Sequence, residues 1–173
     1  GFFIEDSIKE SIQEVVEELK KLSLKAKFVE ERNLHVTLSF LGERNEKEIG
    51  NIKKTLREIV KNYEKFHVKF SGIELIPSQN FIRVVAIGVK NHENLHKISR
   101  EISVKLKGDF KPPHLTLCRV KNIYDKPSLI SFYQKWKEKE FGTMEIDKIS
   151  LIKSVLTPKG PIYEKIEEFE LIG

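Results

Sequence analysis

Two short segments, His35-Val36-Thr37-Leu38 and His114-Leu115-Thr116-Leu117, are nearly the same tetrapeptide set 79 positions apart. In a chain of this composition a histidine followed by apolar-Thr-Leu arises roughly once per thousand histidines, so two instances among five histidines are not a coincidence. On a β-strand, His and Thr two positions apart share one face while Val36, Leu38, Leu115 and Leu117 share the other. Each segment therefore offers one imidazole and one hydroxyl. If an approximate two-fold axis relates the two segments, the imidazoles face each other across a cleft. One then takes a proton from an attacking oxygen while the other gives one to a leaving oxygen, each about 3 Å from its reacting atom, as in-line displacement at phosphorus requires. The threonine hydroxyls are placed to hold non-bridging oxygens. A lone histidine is more often a satisfied core or surface group. That account does not explain a matched pair.

The elements that must position these residues follow from periodicity. From Ser7, the residues Ile8, Ile12, Val15, Val16, Leu19 and Leu22 mark one face of a helix, with Asp6 or Ser7 as its cap. Residues 25–29 and 34–41 read as strands. Asn45 and Glu48 form a capping box that opens a second helix through Ile49, Ile52, Leu56, Ile59 and Val60. Strands at 66–76 and 81–89 form a hairpin around Pro77-Ser78-Gln79-Asn80. A third helix spans 93–106, with Asn91 as its cap, and after Pro112-Pro113 a strand runs over 114–120. A fourth helix at 128–139 precedes strands at 141–155 and 162–171, separated by Thr157-Pro158-Lys159-Gly160-Pro161. Each His-x-Thr segment thus opens a strand followed by a helix and two more strands, which is the mark of a duplicated lobe.

Bulk properties fit this reading. A chain of 173 residues, 39% hydrophobic and 33% charged, carries one substantial core or two small lobes sharing an interface. No stretch approaches 18 uninterrupted apolar residues and the first residues show no signal-peptide pattern, so a soluble, cytoplasmic protein without membrane association is expected. The single Cys118 excludes an intrachain disulfide framework and a cysteine metal site. A net charge of +5 favours an anionic partner such as nucleic acid without establishing one. Abundant Lys, Glu and Ile with few glutamines resembles hyperthermophile composition. The chain opens at Gly1 rather than methionine, from which a trimmed first strand is expected.

Three stretches carry a family resemblance. His35-Val36-Thr37-Leu38-Ser39-Phe40-Leu41-Gly42, the run Phe110 to Val120 containing Pro112-Pro113-His114-Leu115-Thr116-Leu117-Cys118-Arg119, and Ser154 to Tyr163 resemble the signatures of RNA 2′,3′-cyclic phosphodiesterases. That family, also called 2′-5′ RNA ligases, belongs to the two-histidine (2H) phosphoesterases. The resemblance covers most of the chain. It implies an α+β fold of two pseudo-symmetric α/β lobes, each with an antiparallel sheet and flanking helices, around a central cleft. Residues 1–173 would then form a single domain of two duplicated lobes. It further implies hydrolysis of 2′,3′-cyclic phosphate RNA ends, tRNA fragments among them, to 2′-phosphomonoesters, reversible into a 2′-5′ linkage, by a monomer without metal or cofactor. Carried onto matching positions, His35 is the proton donor and His114 the acceptor that activates water. Physical reasoning alone does not orient that pair. Thr37, Thr116 and Arg119 fall to phosphate binding and Tyr163 to the substrate border. Phe40 is expected to pack. Two departures, a short opening strand over Gly1 to Asp6 and Ala86 in place of a frequent aromatic, bear on base stacking.

Competing signals exist. His92-Glu93-Asn94-Leu95-His96 matches the zinc-protease pattern of two histidines one helical turn apart beside a glutamate, which would make the chain a zinc-dependent hydrolase. Ser99 and Ile102 stand where the longer motif needs Gly and His, and no third ligand is evident. A non-catalytic RNA-binding module is suggested by Phe81, Tyr124 and Trp136 among lysines, although Trp136 and Phe132 have core spacing. His67 has no repeat partner. Strict alternation puts Cys118 on the face of His114 and Thr116, as a small filler of the cleft rather than a nucleophile. The charged run 135–140 reads as solvated helix surface.

Overall fold

The computed structural model describes all residues, 1–173. Eleven strands and four helices alternate: β1 (Phe2–Phe3), α1 (Asp6–Lys20), β2 (Leu24–Phe28), β3 (His35–Val36), β4 (Ser39–Phe40), α2 (Glu46–Val60), β5 (Phe66–Pro77) and β6 (Ile82–Lys90) come first. They are followed by α3 (Glu93–Leu106), β7 (Asp109–Phe110), β8 (His114–Ile123), α4 (Lys126–Trp136), β9 (Glu140–Ile146), β10 (Lys148–Thr157) and β11 (Gly160–Glu170). The expected α+β class is what the chain adopts.

Helix boundaries follow from their caps. Asn45 accepts from the Glu48 amide and the Glu48 carboxylate accepts from the Asn45 amide, the capping box expected for α2, a feature that stabilises by about 1 kcal/mol. The first helix begins at Asp6 itself, so its cap lies one residue before Asp6 and two before Ser7. Glu5 holds the capping position without a side-chain bond. Asn91 does not cap α3: it sits at φ 58°, and His92 takes the capping position. The fourth helix starts at Lys126, ahead of the expected 128, because the Asp125 carboxylate accepts from the Ser128 amide and Pro127 suits the first turn.

Six strands form an antiparallel sheet in the order β1-β3-β8-β6-β5-β9, and β2 pairs with the distal half of β8. The run expected as one strand over 34–41 is two: His35–Val36 joins this sheet, while Ser39–Phe40 pairs with β7. The chain crosses from one pairing partner to the other at Thr37-Leu38. Buried Leu38 anchors the crossing, its carbonyl accepting from the Lys111 amide at 3.2 Å and from the buried Ser99 hydroxyl. The expected strand over 141–155 likewise divides at Asp147 into β9, which closes the sheet beside β5, and β10.

The two halves exchange hairpins. The first half's hairpin, β5-β6, lies against β8 of the second half. The second half's hairpin, β10-β11, lies against the first half: the Ser150 amide donates to the Gly1 carbonyl at 2.7 Å and the Asn33 amide group donates to the Pro161 carbonyl at 3.1 Å. One continuous apolar core binds sheet and helices, with Val36, Leu38, Leu115 and Leu117 all buried in it.

Candidate active site

Val36 on β3 pairs directly with Leu115 on β8, antiparallel. The residue following each motif histidine is therefore the other's cross-strand partner, and the two His-x-Thr segments run side by side in opposite directions about a local two-fold axis. Val36 and Leu115 point into the core, which turns His35, Thr37, His114 and Thr116 to the opposite face, all of them half-buried.

Each ring is fixed in the same way. Nδ1 of His35 donates to the carbonyl of Asn33 at 2.7 Å, and Nδ1 of His114 donates to the carbonyl of Pro112 at 2.9 Å, each two residues upstream. With Nδ1 protonated by that contact, Nε2 of each ring is the atom left for proton transfer. The environments then diverge. Nε2 of His35 lies 3.1 Å from the Thr37 hydroxyl, and its ring packs against Tyr163 at 4.6 Å between centroids and against Phe3 at 6.0 Å. Burial holds the pKa of His35 below the ordinary value of 6.5, and the positive charges of Arg119 and His114 depress it further, against the opposing hydrogen bond to Asn33.

Arg119 reaches this face through a β-bulge. Ala86 pairs with Thr116 and its neighbour Val85 with Cys118, which leaves Leu117 without a partner on β6. The extra residue reverses the alternation beyond it. Cys118, expected on the face of the histidines, is instead fully buried in the core, where burial pushes its thiol up to about 12. Arg119 takes the exposed place on the face of His114 and Thr116. Small residues keep the floor open beside them: Ala86 opposes Thr116 and Gly88 opposes His114. A β-carbon on Gly88 would lie 2.6 Å from the Ser71 carbonyl oxygen.

The other candidates fall elsewhere. Phe40 is not packed but 57% exposed, on the short β4-β7 pair. His92 and His96 stack face to face at 4.2 Å, with the edge of Phe110 beside His96, and no group of three His, Cys, Asp or Glu side chains converges to hold a metal ion. Of the aromatics flagged for RNA contact, Trp136 is buried and donates to Glu18, Phe81 is exposed beneath the Arg83 guanidinium, and Tyr124 is exposed. His67 lies on the surface near Glu145. In the charged run, Lys135 pairs with Glu18 and Glu140 with Lys69. Asn33, not singled out in the sequence, is buried and ties the tip of β11 to the His35 segment. Its place two residues before the motif histidine was its one signal.

Paired histidines on adjacent antiparallel strands, within a pseudo-symmetric α+β frame, define a two-histidine phosphoesterase. The family model described as LigT-like phosphoesterase matches twice in succession, over residues 2–86 and 87–163. The chain is 42% identical to an RNA 2′,3′-cyclic phosphodiesterase of Methanocaldococcus jannaschii, over 96% of this chain and 95% of that protein. It is 38% identical to one of Aquifex aeolicus, over 100% and 96%. Among solved structures, TT0787 of Thermus thermophilus superposes with a TM-score of 0.81 over 99% of this chain and 95% of that one, at 24% identity. LigT of E. coli in apo form superposes with 0.73 over 98% and 94%, at 18% identity. The chain belongs to the LigT-like phosphoesterase family. No helix in it is long and apolar enough to cross a membrane.

Proposed function

We propose that this protein is an RNA 2′,3′-cyclic phosphodiesterase that opens cyclic phosphate ends to 2′-phosphomonoesters by paired acid-base catalysis, and that joins ends reversibly through a 2′-5′ linkage when a 5′-hydroxyl takes the place of the attacking water. The observation that carries the mechanism is the pairing of Val36 with Leu115, which sets one imidazole on each side of a shared axis. His114 takes a proton from water on Nε2 as the water oxygen bonds to phosphorus. The P–O3′ bond breaks, and His35 gives its Nε2 proton to the departing 3′-oxygen. The two rings then exchange one proton with solvent to reset. The Thr37 hydroxyl, 3.1 Å from Nε2 of His35 in the free protein, turns to a non-bridging oxygen when substrate displaces it. Thr116 takes the matching oxygen on the other side, and the Arg119 guanidinium neutralises the phosphate charge. Tyr163, against the His35 ring, borders the terminal nucleoside.

The names of the relatives support RNA as the substrate, with tRNA fragments among the ends it takes. The chain acts as a monomer in the cytoplasm. It forms one domain of two duplicated lobes, a reading supported by the two successive family matches. The test is turnover of an oligonucleotide ending in a 2′,3′-cyclic phosphate, in excess EDTA, by wild type, His35→Ala and His114→Ala. Turnover to a 2′-phosphate that survives chelation and falls by roughly 10²-fold or more in each variant is expected. Activity lost to EDTA but indifferent to both substitutions would overturn the mechanism.

A further inference from the structure

The cleft face does not end at the reacting phosphate. Arg119 pairs across the sheet with Lys27 of β2, and the next pair outward on that face is Lys25 with Asn122. A second irregularity, between Lys25 and Ala26, leaves Lys121 unmatched and so keeps Asn122 on the face of Arg119. Cross-strand partners share a face, so Arg119, Lys27, Lys25 and Asn122 form one exposed strip leading away from the histidines. The strip is two strands wide, about 4.8 Å from strand to strand, and its lysines are two residues, about 6.6 Å, apart.

Its charge is uncompensated. Lys53, Lys69, Lys105, Lys135 and Lys148 elsewhere on the surface each sit within 4.0 Å of a glutamate. Lys25, Lys27 and Arg119 have no acidic partner. Nor is Lys27 free to lie anywhere. A β-carbon on Gly160, at φ +117°, would meet its Nζ at 3.0 Å and its Cε at 3.1 Å, so the end of the lysine lies over the bare backbone at the tip of the β10-β11 hairpin. Unpaired cations in a row on an open strand face are the electrostatic footprint of a phosphate backbone. A strip two strands wide takes one such backbone rather than the two of a duplex.

We propose that β2 and the distal half of β8 form a binding track for the single RNA strand leading into the cyclic phosphate, Lys27 receiving the first upstream phosphate and Lys25 with Asn122 the second. This rests on the phosphodiesterase reading and deepens it. The track makes the enzyme a reader of the last three nucleotides, with affinity rising from mononucleotide to trinucleotide and then levelling off.

Fluorescence anisotropy with oligouridylates of one to six nucleotides ending in a 2′-phosphate, titrated across salt concentrations, tests this with the wild type and Lys25→Gln/Lys27→Gln. Glutamine keeps a stem over Gly160, and an unchanged melting temperature confirms folding. Each single-strand phosphate contact contributes about 0.7 to the slope of log affinity against log salt, so the double variant should lower the trinucleotide slope by about 1.4. Its mononucleotide affinity should not move. A wild type that binds one nucleotide as tightly as three, a double variant with wild-type slope, or preference for a duplex end would each overturn the track. Turnover of an oligonucleotide ending in a 2′,3′-cyclic phosphate is measured in parallel. Its absence in wild type removes the phosphodiesterase reading while leaving the binding result to decide the track by itself.

Discussion

Val36 lies directly across the sheet from Leu115, so the local two-fold axis relating the two His-x-Thr segments passes between two buried aliphatic residues and leaves the sheet between the two histidines. The chemistry-bearing side chains flank that axis, and what differs between them was added around it. His35 is roofed by Tyr163 and tied to Thr37, whereas His114 has only its Pro112 contact.

The burial of His35 has a kinetic signature. As the donor it must be protonated, so kcat/KM is expected to fall as pH rises through a value below 6.5. A bound phosphate favours the imidazolium, which moves the same limb to higher pH in kcat. Arg119→Gln removes one of the charges that depress this pKa and should shift the kcat/KM limb upward. A limb unmoved in that variant would show that the titrating group is not His35.

The same shift bears on stability. Between the folded pKa of His35 and 6.5 the unfolded chain binds more protons than the folded one, so stability rises with pH there. The contribution is complete above 6.5 and is lost as pH falls through the folded value. Denaturation midpoints followed over roughly pH 5 to 7 should depend less on pH in His35→Gln, which does not titrate.

Asn33→Ala leaves the backbone carbonyl that holds His35 but removes the bond to Pro161, at a cost of about 1 kcal/mol. The hairpin carrying Tyr163 should loosen, raising KM more than it lowers kcat. Equal loss in both would place the effect on the histidine instead.

Gly88→Ala puts a methyl against the Ser71 carbonyl, with a cost of about 1–3 kcal/mol from overpacking. Because Gly88 faces His114, the melting temperature and kcat should fall together. A stable variant with normal turnover would show that the floor beside His114 has room to give.

Cys118 should resist thiol reagents in the native protein and react once it unfolds, since its thiol is buried and pushed up to about 12. Cys118→Ala should retain turnover with some loss of stability. Rapid labelling of the native thiol, blocked by substrate, would place it in the cleft after all.

Much of this was legible in the sequence. The helices follow their apolar periods, and the α2 capping box sits where Asn45 and Glu48 predicted it. The motif pair announced the two-fold relation of β3 and β8. Alternation, however, records which face a residue takes and not which strand it pairs with. Residues 34–41 therefore read as one strand, although Thr37-Leu38 carries the chain from β8 to β7. Bulges were the other blind spot, because an unpaired residue leaves no mark on composition. That is why Cys118 was assigned to the cleft face, and why Arg119 entered as a motif match without a geometric reason. Asp125 with Ser128 was a cap signal present in the sequence and passed over.

The exchange of hairpins ties the fates of the two motifs. The strand beside His114 is encoded in the half that carries His35, and the tyrosine over His35 is encoded in the half that carries His114. Neither repeat is a complete enzyme, and a substitution in either hairpin is felt first by the other repeat's histidine. Cut in the loop between β6 and α3, the chain should give fragments that are inactive separately and regain turnover only when mixed, each supplying the wall that the other lacks. Such a pair of sequences must drift together or lose the cleft, so selection acts on the two copies as one inherited unit.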